Sequence, residues 1–223
     1  MRPDCFVTGT DTGVGKSRAS AALLHALARR GLRVVGMKPV AAGAERDAQG
    51  VLQNDDALAL RLASNVRVAP ELDNPFCLPD AVSPHIAARN AGTRIDIGLI
   101  AVRFKALQAE ADAVVVEGAG GFLVPLSDTH TGADLAQALG LPVILVVGLR
   151  LGCLNHALLT RDAIAARGLA LAGWICNRLD PQMPEQQANL DYLRAQLPAP
   201  LLADWPFDPA ARADELSIDV GRL

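Results

Sequence analysis

The stretch DCFVTGTDTGVGKSRASAALLHALARRGLRVVGMKPV, residues 4–40, decides the fold. Residues 4–9 contain the apolar run CFV and predict a strand, while residues 16–30 place apolar side chains at helical spacing and stop at a glycine. Residues 32–40 predict a second strand. A strand, a helix and another strand in this order predict a β-α-β unit with parallel strands.

The same alternation continues to the end of the chain. Apolar spacing predicts helices at residues 54–64, 97–110, 132–140, 155–168 and 185–197, and strands at residues 112–118, 142–148, 171–177 and 199–205. The runs AVVVE and VILVV are apolar on both faces, which is typical of parallel strands covered by helices on both sides. We therefore expect a single α/β domain over residues 1–223, with a doubly wound, mostly parallel sheet flanked by helices. Ligands of such sheets bind at the carboxyl ends of the strands.

One segment, residues 66–85, interrupts this alternation. It contains four prolines and is expected to be an irregular excursion over the sheet rather than a linker between domains. Its composition alone gives only a weak indication of substrate contacts.

Length, composition, charge and cysteine spacing argue against several classes of protein. The chain has 223 residues, 51% of them hydrophobic, which is enough for a core, and its net charge of −3 gives no general attraction for nucleic acid or anionic membranes. The first ten residues contain no charged-then-apolar leader, and the longest apolar run is far shorter than a membrane span, so a cytoplasmic protein is expected. The four cysteines are widely spaced and form no C-x-x-C pair, which predicts reduced, mostly buried thiols.

The stretch GTDTGVGKS, residues 9–17, ends like a phosphate-binding loop. The usual pattern G-x-x-x-x-G-K-[ST] would place its first glycine at Thr10, but the glycine lies one residue earlier, at Gly9. Glycines permit tight turns, so the backbone N–H groups can converge on phosphate oxygens at the positive end of the helix. Lys16 would add a cation and the Ser17 hydroxyl a magnesium ligand. Nucleotide binding and a P-loop NTPase-like fold are predicted, although glycine-rich turns without ligands also occur.

Three charged side chains are predicted near the same loop. Glu117 ends a buried strand and precedes a glycine-rich turn, Asp56 lies just inside a helix, and Lys38 ends the second strand. Carboxylates suit magnesium, and an ammonium group suits the outer phosphate of a nucleotide. Each has a simpler alternative: a helix-capping carboxylate, an ordinary first-turn acid and a solvated lysine.

The run CNRLD, from Cys176 to Asp180, closes a late strand. Asn177 is placed to reach the edge of a purine, and N-R-x-D is similar to the N-K-x-D motif with which GTPases read guanine. A turn with Asx hydrogen bonds, or a salt bridge, is the alternative for Asp180. The preference between ATP, GTP and CTP stays open.

Together these pieces resemble the dethiobiotin synthetase family. The resemblance rests on FVTGTDTGVGKS, KPVAAG, NDDALAL, SPHIAA, VEGAGGFLVPL, LPVILVVGLRLGCLNHALLT, LAGWICN and PAPLL, which extend over nearly the whole chain. It implies an ATP-dependent cyclo-ligase of biotin biosynthesis that acts on diaminopelargonate and carbon dioxide with Mg²⁺. It also implies a homodimer whose site lies at the interface, and no nucleic-acid or membrane partner.

The resemblance also assigns residues. The implied catalytic lysines are Lys16 and Lys38, and the implied metal ligands are Ser17, Asp56 and Glu117. The nucleotide would contact Thr12, Gly13, Val14, Gly15, Lys16, Ser17, Arg18, Asp56, Glu117, Gly118, Ala119, Gly120, Asn177, Arg178, Pro206, Phe207 and Asp208. The second substrate would contact Thr12, Lys38 and Ala42, together with Leu151, Gly152, Cys153, Leu154 and Asn155 of the partner subunit, which are expected to precede a helix.

This chain departs from the family at several positions, one of which is Asp180 in NRLD, and other classes of protein remain possible. Ala42 stands where a serine or threonine is common, and Ser17 replaces the commoner threonine but keeps the oxygen. A partitioning-type switch ATPase would usually have K-G-G-x-x-x-G-K, whose front positions are here Thr10 and Asp11. A GTPase, which NRLD would support, would need a D-x-x-G motif after a strand, where this chain has EGAGG. An amidating enzyme of cobalamin synthesis would need a glutaminase domain, for which 223 residues are expected to leave no room.

Overall fold

The computed structural model describes residues 2–222, so the two terminal residues of the predicted 1–223 domain lie outside the described part of the chain. The strands within this range are β1 (Cys5–Gly9), β2 (Val34–Met37), β3 (Val40–Ala42), β4 (Glu45–Arg46), β5 (Leu52–Gln53), β6 (Phe76–Leu78), β7 (Ala113–Gly121), β8 (Val143–Leu149), β9 (Leu171–Arg178) and β10 (Leu201–Trp205). The α-helices are α1 (Lys16–Arg29), α2 (Asp55–Ala63), α3 (Pro70–Asp73), α4 (Pro84–Asn90), α5 (Ile97–Glu110), α6 (Gly132–Leu139), α7 (Cys153–Ala166) and α8 (Gln186–Gln196).

The central sheet has the strand order β10-β9-β8-β1-β7-β2, and every neighbouring pair is parallel. Both faces of this sheet are covered, as the apolar runs predict. Val114 and Val116 of β7 pack into an apolar cluster with residues of α5 and α6, whereas Val115 packs into another with residues of α1 and α2. The predicted α/β fold is confirmed. No described helix combines the length and the apolar character needed to cross a membrane.

The predicted second strand, residues 32–40, is wrong as a single element. β2 ends at Met37, because the N–H of Lys38 bonds to the carbonyl of Asp73 at 2.8 Å and Pro39 has no N–H to donate. The chain therefore leaves the central sheet after Lys38, and β3 pairs with β6 in a separate small sheet.

The segment 66–85 is also more regular than expected, since it contains α3 and β6. Two boundaries near the predicted site differ as well. β7 does not end at Glu117 but continues to Gly121, so the glycine-rich residues belong to the strand rather than to a turn. α7 begins at Cys153, so Cys153 to Asn155 form its first turn instead of preceding it.

The carboxylate of Asp134 fixes the amino end of α6, which follows the loop between β7 and the helix. It accepts hydrogen bonds from the backbone N–H and the hydroxyl of Thr131, at 2.6 and 2.7 Å, and pairs with Arg167. Partial burial raises the pKa of Asp134, but the bonds from Thr131 and Arg167 outweigh this effect and lower that pKa to about 2.

We expect Asp134→Ala to lower the free energy of unfolding by about 1 kcal/mol at neutral pH, the usual cost of losing a helix cap. Because the pKa of Asp134 is lowered by folding, its stabilisation is present above the unfolded-state pKa of about 3.9 and is lost as the pH falls from there towards the folded value. Urea unfolding at pH 7 and about pH 3 measures this difference, with exposed Asp128→Ala as the control. A difference of equal size at both pH values would contradict the ionic contribution.

Candidate functional site

The loop between β1 and α1 is shaped by its glycines. Gly13 and Gly15 have φ angles of 76° and 96°, in the left-handed region that favours glycine, and Gly15 caps the first helix. A Cβ on Gly9 would lie 2.5 Å from Cγ2 of Val14, so Gly9 has to lack a side chain for the loop to fold back. The early glycine thus makes room for buried Val14 rather than standing in for the usual first glycine of the motif.

Asn177, at the end of β9, lies directly beneath this loop. It is 4% exposed and donates one N–H of its side-chain amide to the carbonyl of Val14 at 2.9 Å. A Cβ on Gly15 would lie 2.5 Å from the same amide nitrogen. Asn177 therefore supports the loop, and it also lines a cavity of about 220 Å³ with Phe207 and Asp208.

Four side chains converge near the carboxyl edge of the sheet, around the three adjacent strands β1, β7 and β2. β7 lies between β1 and β2 in the sheet, so Glu117 of β7 meets Ser17 in the first turn of α1 and Lys38 just after β2. Asp56 enters from the first turn of α2. The side-chain oxygen of Asn54 accepts from the N–H groups of residues 56 and 57, and so caps this helix.

The cluster is held by short polar contacts. Nζ of Lys38 lies 2.7 Å from Oδ2 of Asp56 and 2.6 Å from Oε1 of Glu117. Oγ of Ser17 lies 2.5 Å from Oδ1 of Asp56 and 2.8 Å from Oε1 of Glu117. Lys38 is 4% exposed and Glu117 fully buried, so these charges interact with little screening by water.

Burial and neighbouring charges shift the pKa values of Lys38, Asp56 and Lys16. Burial alone would lower the pKa of Lys38, but the carboxylates of Glu117 and Asp56 outweigh it and hold that pKa above its ordinary value. Burial likewise raises the pKa of Asp56, yet the ammonium group of Lys38 and the hydrogen bond from Ser17 shift it below its ordinary value. Burial and repulsion by Lys38 lower the pKa of Lys16, whose Nζ donates to the carbonyl of Asp11 at 3.3 Å.

The oxygens of this cluster fit a hard divalent cation. Oε2 of Glu117 is buried without a hydrogen-bond partner, and the Ser17 hydroxyl has one proton for two carboxylate contacts. Carboxylate and hydroxyl oxygens are ligands that Mg²⁺ accepts. Residues 2–222 contain no group of three or more His, Cys, Asp or Glu that could hold a metal ion. A cation at this site would therefore need further oxygens, such as those of phosphate groups and water.

A cleft of about 850 Å³ opens above the cluster and the loop. The sequence-predicted residues that line it are Thr12, Gly13, Gly15, Lys16, Ser17, Arg18, Lys38, Ala42, Asp56, Ala119 and Gly120. Glu117 and Gly118 lie in the strand beneath, and the Glu117 side chain reaches Lys38 and Ser17 from there.

Sequence reasoning missed part of the wall of this cleft. The additional lining residues are Val40, Ala81, Val82, Ser83, Pro84 and Val124. Residues 81–84 close the proline-rich segment that gave only a weak indication of substrate contacts. The motif SPH at residues 83–85 was the available signal, but its position over the cleft depends on tertiary packing.

Several predicted contacts lie outside the main cleft. Residues 151–155 do not line it within the described chain, and Leu151 is 91% exposed. The preceding residue, Arg150, pairs with Asp11 of the phosphate-binding loop at 2.5 Å and so connects the two loops. Arg18 donates to the backbone carbonyls of Asp208 and Pro209, at 2.9 and 3.3 Å.

Two side chains of the CNRLD run are engaged in structural contacts. The guanidinium of Arg178 pairs with both carboxylate oxygens of Asp204, at 2.9 and 2.8 Å. Oδ1 of Asp180 accepts the backbone N–H of Gln182 at 2.9 Å, which is the Asx turn considered as the alternative for this residue.

Comparison with solved structures agrees with the α/β fold. The septum site-determining protein MinD of Pyrococcus horikoshii, complexed with Mg-ADP, is 21% identical with a TM-score of 0.57, covering 98% of this chain and 88% of that one. A ParA family ATPase from Chlorobium tepidum is 14% identical with a TM-score of 0.56, covering 93% and 86%. The shared fold is that of P-loop NTPases.

The family follows from sequence relatives. A family model described as an AAA domain matches residues 4–214. The ATP-dependent dethiobiotin synthetase BioD of Aromatoleum aromaticum is 54% identical over 217 residues, which are 96% of this chain and 96% of that protein. The chain belongs to this AAA-domain family and, within it, to the dethiobiotin synthetases. Partitioning-type ATPases share its fold at much lower identity.

Proposed function

We propose that this protein is the ATP-dependent cyclo-ligase that converts diaminopelargonate and carbon dioxide to dethiobiotin, a step of biotin biosynthesis. The observation that carries this conclusion is 54% identity to a dethiobiotin synthetase over 96% of the chain. The cleft supports it, because a phosphate-binding loop, two buried lysines and an acidic cluster lie together there.

The proposed reaction has three steps. One amine of the substrate adds to carbon dioxide and loses a proton, which gives a carbamate. A carbamate oxygen then attacks the γ-phosphorus of ATP and ADP leaves. The carbamate, a poor electrophile, thereby becomes a mixed anhydride with phosphate. The second amine attacks its carbonyl carbon, loses a proton and expels phosphate. Because both amines belong to one molecule, holding them in the geometry of ring closure can lower the activation barrier by about 7–11 kcal/mol at most.

Lys16 and Lys38 are proposed to stabilise the negative charge that moves during phosphoryl transfer. Both are buried at the floor of the cleft, where an ammonium group acts more strongly than in water. The two carboxylates beside Lys38 keep it protonated, so it serves as a charge rather than as a base. Positioning and charge stabilisation then suffice without a covalent intermediate on the enzyme.

Ser17, Asp56 and Glu117 are proposed to hold Mg²⁺ together with the nucleotide. The unpartnered Oε2 of Glu117 and the Ser17 hydroxyl are the groups that favour this assignment. A magnesium ion there would neutralise charge on the outer phosphates. Because the protein offers few ligands, affinity for the ion is expected to depend on bound nucleotide.

The purine is proposed to occupy the smaller cavity beside Asn177, Phe207 and Asp208, which opens next to Gly13 and Gly15 of the loop. Pro206 does not line this cavity, but it is exposed and directly precedes Phe207, so the proposed contact extends to it. Arg178 is proposed to contribute through its backbone, since its guanidinium pairs with Asp204. The Asx turn of Asp180 removes one support for guanine, so ATP is the proposed nucleotide.

The substrate carboxylate is proposed to meet the partner subunit of a homodimer. Exposed Leu151 and left-handed Gly152 lead into α7, whose first turn contains Cys153 to Asn155. The N–H of Cys153 bonds to the carbonyl of Arg150 at 3.0 Å, so the N–H groups of Leu154 and Asn155 are the ones proposed to attract the anion at this helix end. These residues do not line the cleft of their own chain, which fits a role in the partner's site. A single domain over residues 1–223 and a cytoplasmic location are part of the same proposal.

The decisive experiment incubates the purified protein with diaminopelargonate, bicarbonate, Mg²⁺ and ATP. We expect dethiobiotin together with equal amounts of ADP and phosphate, quantified by mass spectrometry and a phosphate assay, with little product from GTP or CTP. Chelation of the metal is expected to stop the reaction. If phosphate forms equally fast without the diamine and no cyclic urea appears, the ligase proposal fails and a switch ATPase is favoured.

A further inference from the structure

The backbone of Lys38 is held from outside the central sheet by Asp73, the last residue of α3, and by Asn74, which caps that helix. β2 ends at Met37 and Pro39 follows, so neither peptide group of Lys38 is paired in the ladder. Its N–H donates to the carbonyl of Asp73 at 2.8 Å, and its carbonyl accepts from Nδ2 of Asn74 at 2.7 Å. Asp73 and Asn74 therefore fix the backbone groups on both sides of the Cα atom of Lys38.

Asn74 is itself fixed in place. It is 8% exposed, its amide nitrogen is also 3.4 Å from the carbonyl of Phe76, and its backbone N–H bonds to the carbonyl of Pro70 at 2.9 Å. A buried amide that loses its partner costs free energy, so this side chain has little freedom to turn elsewhere. The hydrogen bond from Asn74 reaches the backbone of Lys38, and Asn74 does not line the main cleft.

Asp73 is also hydrogen-bonded to α2, the helix that carries Asp56. The guanidinium of Arg61 in α2 makes three hydrogen bonds to the carboxylate of Asp73, at 3.0, 2.8 and 2.6 Å. α2 also packs closely on β2, because a Cβ on Gly36 would lie 2.7 Å from Cβ of Leu60. One helix therefore positions Asp56 directly and, through Arg61 and Asp73, the backbone of Lys38.

We propose that Asn74 is a positioning residue for Lys38 in the ligase reaction, an inference that rests on the proposed function. A lysine side chain occupies staggered rotamers, so the direction of its Cα–Cβ bond limits the positions that its ammonium group can reach. The hydrogen bonds of the Lys38 backbone with Asp73 and Asn74 set that direction, and Nζ then lies between Asp56 and Glu117. Displacement of a reacting group by about 1 Å can cost about 100-fold in rate.

The test is Asn74→Ala, measured by steady-state kinetics and nucleotide binding. We expect kcat for dethiobiotin to fall about 10- to 100-fold, with the KM for ATP and the affinity for ADP nearly unchanged. The matched control is Asn65→Ala. Asn65 holds the opposite end of β2, accepting from Val34 N–H at 2.7 Å and donating to the Leu32 carbonyl at 2.8 Å. Its side chain is exposed, so this variant reports the loss of a side-chain contact to the β2 backbone away from the cleft.

A double-mutant cycle with Lys38→Ala completes the test. If Asn74 acts through Lys38, Asn74→Ala has no further effect on the residual rate of Lys38→Ala. A wild-type kcat in Asn74→Ala, an equal loss in Asn65→Ala, or an undiminished loss in the Lys38→Ala background would each overturn the proposal. If the alanine variant is insoluble, Asn74→Ser is measured by the same criteria. Wild-type protein that forms no dethiobiotin would instead refute the proposed function.

Discussion

Lys38→Ala is expected to reduce kcat for dethiobiotin by about 10²–10³-fold while the affinity for ATP changes little. The reason lies in where its charge sits. Nζ of Lys38 is 2.6 Å from a fully buried carboxylate, at the floor of the cleft where the γ-phosphate and the carbamate are proposed to meet. Fixed charge at such a place stabilises the transition state more than the bound nucleotide. Rapid-quench kinetics and nucleotide titration separate the two effects.

The lost ammonium also removes a counter-ion. Breaking a buried ion pair by removing one partner costs about 3–5 kcal/mol, so the folded state of Lys38→Ala has to be verified by circular dichroism at the assay temperature. The matched control is Lys105→Ala, which removes an exposed lysine from α5 and should leave kcat unchanged. A folded Lys38→Ala protein with a normal rate would reject the proposed role.

Glu117→Gln is expected to have a comparable effect on rate, about 10²–10³-fold, through a different property. The amide keeps the shape of the side chain but removes a charge that faces both Lys38 and Ser17. The Mg²⁺ concentration for half-maximal activity should rise, because one of the proposed carboxylate ligands becomes a weaker donor.

Activity measured across a series of Mg²⁺ concentrations distinguishes this effect from a loss of fold. Exposed Glu110→Gln, at the end of α5, is the matched control. An unchanged magnesium requirement in Glu117→Gln would show that Glu117 serves only as the counter-ion of Lys38. The metal-ligand assignment would then be wrong.

Sequence patterns predicted most of this fold because the strands of the central sheet are short apolar runs between amphipathic helices. α5 begins and ends where its periodicity predicts, at Ile97 and Glu110. The errors arise where long-range contacts override local pattern. Residues 32–40 look like one strand, but Pro39 and the bond from Lys38 to Asp73 divide them. The glycines after Glu117 look like a turn, but pairing with β1 extends the strand.

The candidate site was predictable in composition but not in its connections. Ser17, Lys38, Asp56 and Glu117 could be singled out because each lies at a predicted strand end or helix start. That they contact one another depends on β7 lying between β1 and β2, which no local pattern reveals. The support from Asn74 and Arg61 was equally hidden, since both lie in or beside a segment expected to be irregular.

The position of β2 at the edge of the sheet affects how the site opens on heating. β2 is an edge strand of the central sheet, whereas Glu117 lies in β7, an interior strand. Edge elements open in local fluctuations that leave the interior protected, so the lysine and the carboxylate belong to regions of unequal resistance to opening. Under mild heating, Lys38 should separate from Glu117 before the interior of the sheet opens. Catalysis would then be lost while the phosphate-binding loop and the inner strands are still folded.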